Sequence, residues 1–173
     1  NNYLFLRFFK TLKAMNATGD ETITDKQGNS FTLKNFLEEK ANITEISKKF
    51  LIELSNKQTN PEKKAELEKL FEESQKDQLK EYQTTHELWD TLEENREVSF
   101  DLSELCSLLM PLLPRLYSIS SAQKAVGDEI HLTIAMLEYE SNQLLRRGVC
   151  THYLCNLAPI GKGCVPIYIQ PHH

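Results

Sequence analysis

No stretch of this sequence comes near the roughly 20 consecutive apolar residues that crossing a bilayer requires. A membrane-spanning helix is therefore not expected. An excess of basic residues is missing too: 20 Lys and Arg stand against 25 Asp and Glu, for a net charge of −5. A general nucleic-acid binder needs a basic face to replace phosphate counterions, so that class is set aside. Cysteine is sparse, with four in all (Cys106, Cys150, Cys155 and Cys164), and the spacing forms neither a CxxC pair nor a disulfide framework. The expected state is reduced thiol. A zinc set drawn from Cys150, His152, Cys155 and Cys164 lacks the paired spacing of structural sites, so no metal is expected. The opening "NNYLFLRFFKTLKAMNATGDE" is apolar but has no basic n-region, and Arg7 and Lys10 interrupt it. It reads as an amphipathic helix and not as an export signal. A soluble, cytoplasmic chain is the expectation.

What is there is ordinary globular material. Of 173 residues, 40% are hydrophobic and 26% charged, enough to build one domain or slightly more around a real core. The first part reads as a series of helices. Leu4, Phe5, Phe8, Phe9, Leu12 and Met15 follow helical spacing, and "NATGDE" stops that helix. "TITDKQGNSFTL" reads as strand, turn and strand around Gly28. Thr32 is the expected N-cap of a helix burying Leu33, Phe36 and Leu37. The next helix is expected to start at Asn42 or Thr44. "NPEKKAELEKLFEESQKDQLKEY" has Asn60 as cap and Pro61 in the first turn. "THELWDTLEEN" and "FDLSELCSLLMPLLP" read as two further helices, the last ended by its prolines. The charges here are a solvated face and the apolar stripes are packing.

After Pro114 the pattern changes. "RLYSIS", "EIHLTIAMLEY" and "CVPIYIQP" are rich in β-branched and aromatic residues and read as strands, with a turn near Gly127 and Asp128. "RRGVCTHYLCNLAPIGKG" reads as loop, glycine and a short helix capped by Thr151. On a strand Arg115 and Tyr117 share one face. Arg115 offers a planar fork of donors for a phosphate or carboxylate. Tyr117 presents a flat ring beside it, and Ser118 follows with a small hydroxyl. Gly148 opens a second anion element, where close backbone approach and first-turn N–H groups suit a phosphate. Two phosphate elements and one stacking ring fit a dinucleotide bearing a flat ring.

"PRLYSISSA" followed by "GVCTHYL" resembles the flavin-binding module of the ferredoxin–NADP reductase superfamily, and within it the diflavin reductases of the sulfite reductase type. The resemblance implies an α+β fold. Residues 1–98 would be a mostly helical connecting domain, and residues 99–173 part of an antiparallel FAD-binding β-barrel of the ferredoxin reductase type. It implies that Arg115 pairs with the FAD pyrophosphate, that Leu116 beside it belongs to the cofactor-binding stretch, that Tyr117 stacks on the isoalloxazine, and that Ser118 is the catalytic residue at the flavin's reactive edge. Thr133, Ile134 and Ala135 would line the FAD, Tyr139 would lie by the adenosine, and Gly148, Val149, Cys150 and Thr151 would cradle the second phosphate. No thiol role is implied for Cys150. His131 is expected to be a strand histidine without a catalytic part.

The implied enzyme is an NADPH-dependent flavoprotein reductase that sends electrons through FAD and FMN to a haem-containing acceptor protein. The glycine-rich opening of an NADP-binding domain and an FMN-binding portion are not found in these 173 residues. The expectation is thus a piece of a larger reductase, not active alone and without a nucleic-acid or membrane partner in this segment. The alternative is a helical protein-interaction module carrying a vestigial, non-functional flavin motif.

Overall fold

The computed structural model describes residues 3–162 and 165–171. Helices alternate with small two-stranded antiparallel sheets, so the fold is mixed α and β. The chain divides into two compact units. One comprises Asn1–Pro114 with Ser141–Gln143, the other Arg115–Glu140 with Leu144–His173.

In the first unit, α1 (Tyr3–Ala14) is followed by the hairpin β1 (Thr22–Thr24) and β2 (Ser30–Thr32), paired antiparallel with Ile23 opposite Phe31. Gly28, at φ +85°, makes the turn between them, and the Asp25 carboxylate accepts the N–H groups of Gln27 and Asn29. Thr32 caps α2 (Leu33–Glu39) by accepting from Asn35 N, as its position predicts. β3 (Ala41–Asn42) then pairs with β4 (Met110–Pro111). That pairing moves the start of α3 (Lys48–Lys57) beyond the expected Asn42 or Thr44. Asn42 is held opposite Met110, its side chain accepts from Thr44, and Ser47 becomes the cap through Phe50 N.

Asn60 caps α4 (Pro61–Lys69) with Pro61 in its first turn, as expected. The single long helix expected there is broken by a short 3₁₀ turn, Glu73–Gln75, before α5 (Lys76–Thr85). The break lets Leu67, Leu70 and Phe71 on one side of it, and Leu79 and Tyr82 on the other, pack on the same core. α6 (Leu88–Glu94) and α7 (Leu102–Leu108) complete the helices, the latter capped by Asp101. Phe50, Leu51, Leu54, Ile23, Leu33, Leu88 and Leu105 form the centre of the core, each at most 2% exposed.

Arg7, which interrupts the apolar run of α1, is 3% exposed and lies inside. Its Nη2 meets Glu87 Oε1 at 2.7 Å, and the Trp89 indole donates to Glu87 Oε2. Of the apolar stripe predicted on α1, Leu12 and Met15 are buried while Phe9 is 49% exposed; the Leu4 and Phe5 side chains lie outside what is described.

The second unit contains α8 (Gln123–Val126), β5 (Glu138–Ser141), β6 (Leu144–Arg147) and α9 (Val149–His152), which runs on into a wider turn, Tyr153–Leu157. Ser141, the last residue of β5, groups with the first unit. The strands expected over "RLYSIS" and "EIHLTIAMLEY" are extended chain joined by one antiparallel bridge, Ile119 to Leu132. Residues 165–171 of the third expected strand are irregular, and Cys164 lies outside the described residues. Strand-forming residues hold a ladder when a packed face rewards it. Among the described residues, every buried apolar side chain belongs to the first unit. Leu116, Ile119, Leu132 and Leu137 are exposed, so only the one bridge forms. No closed barrel is seen among the described residues.

Candidate functional site

All twelve residues singled out by the sequence fall in the second unit. Arg115, Leu116 and Ser118 are exposed, and Tyr117 between them is half-buried. The Tyr117 hydroxyl donates to Cys150 Sγ at 3.4 Å, a side-chain bond spanning 33 positions of sequence. That bond and burial push the Tyr117 phenol up to about 12, against the pull of the Arg115 charge. The tyrosine of one motif therefore meets the cysteine of the other.

The second motif is built on a tight junction. β5 and β6 are joined by Asn142 and Gln143, both at positive φ, 51° and 59°, the geometry of a two-residue hairpin turn. Arg147 Nε pairs with Glu138 Oε1 at 2.6 Å across the hairpin. Gly148 N donates to Leu137 O at 2.9 Å and thereby ends the strand. Gly148 then takes the cap position of α9. Thr151, expected as that cap, stands instead in the helix's first turn: its hydroxyl donates to Gly148 O and accepts from Leu137 N, each at 3.3 Å. Starting the helix at Gly148 is what lets the threonine clamp the helix to the strand end.

Gly148 has an ordinary φ of −61°. Its glycine identity has another cause. A Cβ there would lie 2.8 Å from Thr151 Oγ1 and 3.1 Å from Leu137 Cβ. The turn is closed by contact, and any side chain at this position would force its neighbours to shift.

Thr133 and Ala135 are exposed and Ile134 is half-buried. One further step of the Ile119–Leu132 register sets Ser118 opposite Thr133, although no ladder continues there. Tyr139 lies on β5, 37% exposed. Val149 is half-buried beside Cys150. His131 is exposed, with Nε2 on Glu129 at 3.0 Å, while its carbonyl accepts from Ser120 N and Oγ. Leu137, whose main chain and side chain shape the Gly148 turn, was not singled out by sequence. Its role depends on a contact 11 positions away that no local pattern signals. Arg146 on β6 is 1% exposed.

Among the described residues, no group of three or more His, Cys, Asp or Glu is placed to hold a metal, and no helix is long and apolar enough to cross a membrane. Cys106, Cys150 and Cys155 are free thiols.

Comparison with known proteins gives two findings. A family model described as FAD binding domain matches residues 9–153. The chain is also similar to sulfite reductase NADPH flavoprotein alpha-components. That of Aliivibrio fischeri is 34% identical over 159 residues, covering 92% of this chain and 25% of that protein. That of Bacillus subtilis is 32% identical over 160 residues, 92% of this chain and 26% of the other. That of Vibrio cholerae is 42% identical over 93 residues, 53% of this chain and 15% of the other. The chain spans about a quarter of the length of the first two relatives.

Proposed function

Because the chain belongs to the FAD binding domain family, we propose that it holds FAD between the Arg115–Ser118 stretch and the Gly148–Thr151 turn. It would do so as the flavin-binding region of an NADPH-dependent diflavin reductase of the sulfite reductase type. In this reading residues 1–98 are the connecting domain and 99–173 a portion of an antiparallel barrel, and the protein works in the cytoplasm. The NADPH and FMN sites belong to parts of the reductase beyond the matched quarter.

One observation carries the reading: the two motifs meet in one unit through Tyr117 and Cys150. The donor set suits an anion joined to a flat ring. Arg115 brings an always-charged fork. The first-turn N–H groups of Val149 and Cys150 have no carbonyl within their own helix to bond. Gly148 leaves the main chain bare where a side chain would crowd it. Arg115 then binds the pyrophosphate, with Leu116 beside it in the cofactor-binding stretch, and Tyr117 orders the isoalloxazine by stacking. Ser118 acts at the reactive edge. Thr133, Ile134 and Ala135 line the flavin, Tyr139 the adenosine, and Gly148 to Thr151 the second phosphate. When bound, FAD supplies the chemistry that links NADPH to FMN and a haem-containing acceptor protein.

The test uses the intact reductase. Arg115→Ala is expected to lower FAD content and affinity. Ser118→Ala is expected to slow reduction by NADPH more than it weakens FAD binding. Wild-type flavin content and affinity in Arg115→Ala would show that the site is misassigned.

A further inference from the structure

The contact between Tyr117 and Cys150 assigns work to a side chain that the motif uses only for its main chain. We propose that the sulfur of Cys150 is a positioning group for Tyr117, fixing the ring plane that stacks on the flavin and tying it to the phosphate cradle. The proposal rests on the FAD reading above.

A tyrosine ring turns about two side-chain bonds, and a hydrogen bond at its far end restrains both. The hydroxyl donates to Cys150 Sγ at 3.4 Å, well placed for a bond to sulfur. Both residues are half-buried, so water competes less for the hydroxyl than at an open surface. Cys150 is itself fixed. It sits in the first turn of α9, whose start is held to the strand end by Gly148 N on Leu137 O and by Thr151 Oγ1 between Leu137 N and Gly148 O. The same residue therefore offers its main chain to the phosphate side and its sulfur to the ring side. A ring held this way loses less freedom when the cofactor arrives, which raises affinity without a new contact.

Three variants of the full chain test this: Cys150→Ala, Cys150→Ser and Tyr117→Phe. The first readout needs no cofactor. It is the ring Cζ resonance of Tyr117 in tyrosine-labelled protein, assigned by its loss in Tyr117→Phe. Cys150→Ala is expected to shift that resonance and leave the other tyrosines unmoved, and Cys150→Ser, which keeps an acceptor, to restore it. The second readout is FAD titration with quenching of flavin fluorescence. Cys150→Ala and Tyr117→Phe should each weaken binding by about three- to tenfold, the range of one net hydrogen bond, with less quenching. Together they should cost no more than either alone, and Cys150→Ser should recover both affinity and quenching. An unmoved Tyr117 resonance in Cys150→Ala, or an undiminished effect of that change in the Tyr117→Phe background, would overturn the role. If the wild-type chain fails to take FAD, the site reading falls and the role falls with it. If only the variants depart from expectation, the role alone falls.

Discussion

Replacing Gly148 with alanine adds one methyl group where none fits. With φ at −61° the backbone tolerates any residue, so crowding is the whole cost. The new Cβ would stand 2.8 Å from Thr151 Oγ1, 3.1 Å from Leu137 Cβ and 3.2 Å from Leu137 Cδ2. The Leu137 methyl can swing aside. Leu137 Cβ cannot, because it is fixed to the main chain, and the Thr151 hydroxyl is held at 3.3 Å by both Leu137 N and Gly148 O. Relief requires the Thr151 hydroxyl to turn away or the start of α9 to move off the strand, and either change breaks that clamp. Overpacking of this kind costs about 1–3 kcal/mol, or about 5- to 150-fold in an equilibrium constant. FAD titration should show most of that as lost affinity, since the crowded turn is the proposed phosphate cradle. Gly28→Ala is the matching control. An added Cβ there meets nothing within 4 Å, but φ is +85°. It should cost about 1–2 kcal/mol of backbone strain in thermal unfolding and leave FAD affinity alone. Wild-type affinity in Gly148→Ala would refute the crowding argument.

Two further perturbations probe the helical unit. The Arg7 and Glu87 side chains are each only 3% exposed, so Arg7→Met leaves the buried Glu87 carboxylate without its cation and should cost about 3–5 kcal/mol in urea unfolding. Adding Glu87→Gln should recover most of the loss, and a double variant no more stable than the single would contradict this. His86 stacks on the Tyr82 ring, with Nδ1 at 3.1 Å from Tyr82 O and Nε2 at 3.2 Å from Glu94 Oε1, so oxygens face both ring nitrogens. Burial pulls its pKa down, but the bond to Glu94 and the Glu94 charge outweigh it and the net shift is upward. The bond to His86 lowers Glu94 against burial. The His86 contribution is complete below its unfolded value and fades as pH rises through the raised folded value; the Glu94 contribution is complete above its own unfolded value and fades as pH falls through the lowered one. Stability from the pair should peak between those limits. His86→Gln should flatten the alkaline side of the curve of unfolding midpoint against pH, and unchanged curvature there would contradict the pairing.

The features readable from sequence are those set within a few residues. Thr32 and Asn60 cap helices because their oxygens reach N–H groups two or three positions on, and Gly28 turns the first hairpin for a local conformational reason. Where partners are distant the sequence is silent. Asn42 gives up its expected cap because it pairs with Met110. Arg7 looks like a break in an apolar run until Glu87, 80 positions later, takes its charge inside. The stretch from Arg115 to Leu137 has strand composition, yet a ladder needs a covered face as well as suitable residues. Within the candidate site, residue types and spacing single out Arg115, Tyr117 and Gly148. The packing of Leu137 on Gly148 and the reach of Tyr117 to Cys150 depend on how the chain returns on itself.

The most direct test of the central claim is an FAD titration followed by the visible flavin band, run on the intact reductase and on its Arg115→Ala/Tyr117→Ala variant side by side. The account predicts a saturable perturbation of the band with the wild-type reductase and a much weaker one with the double variant. No perturbation with either, or the same with both, would contradict it.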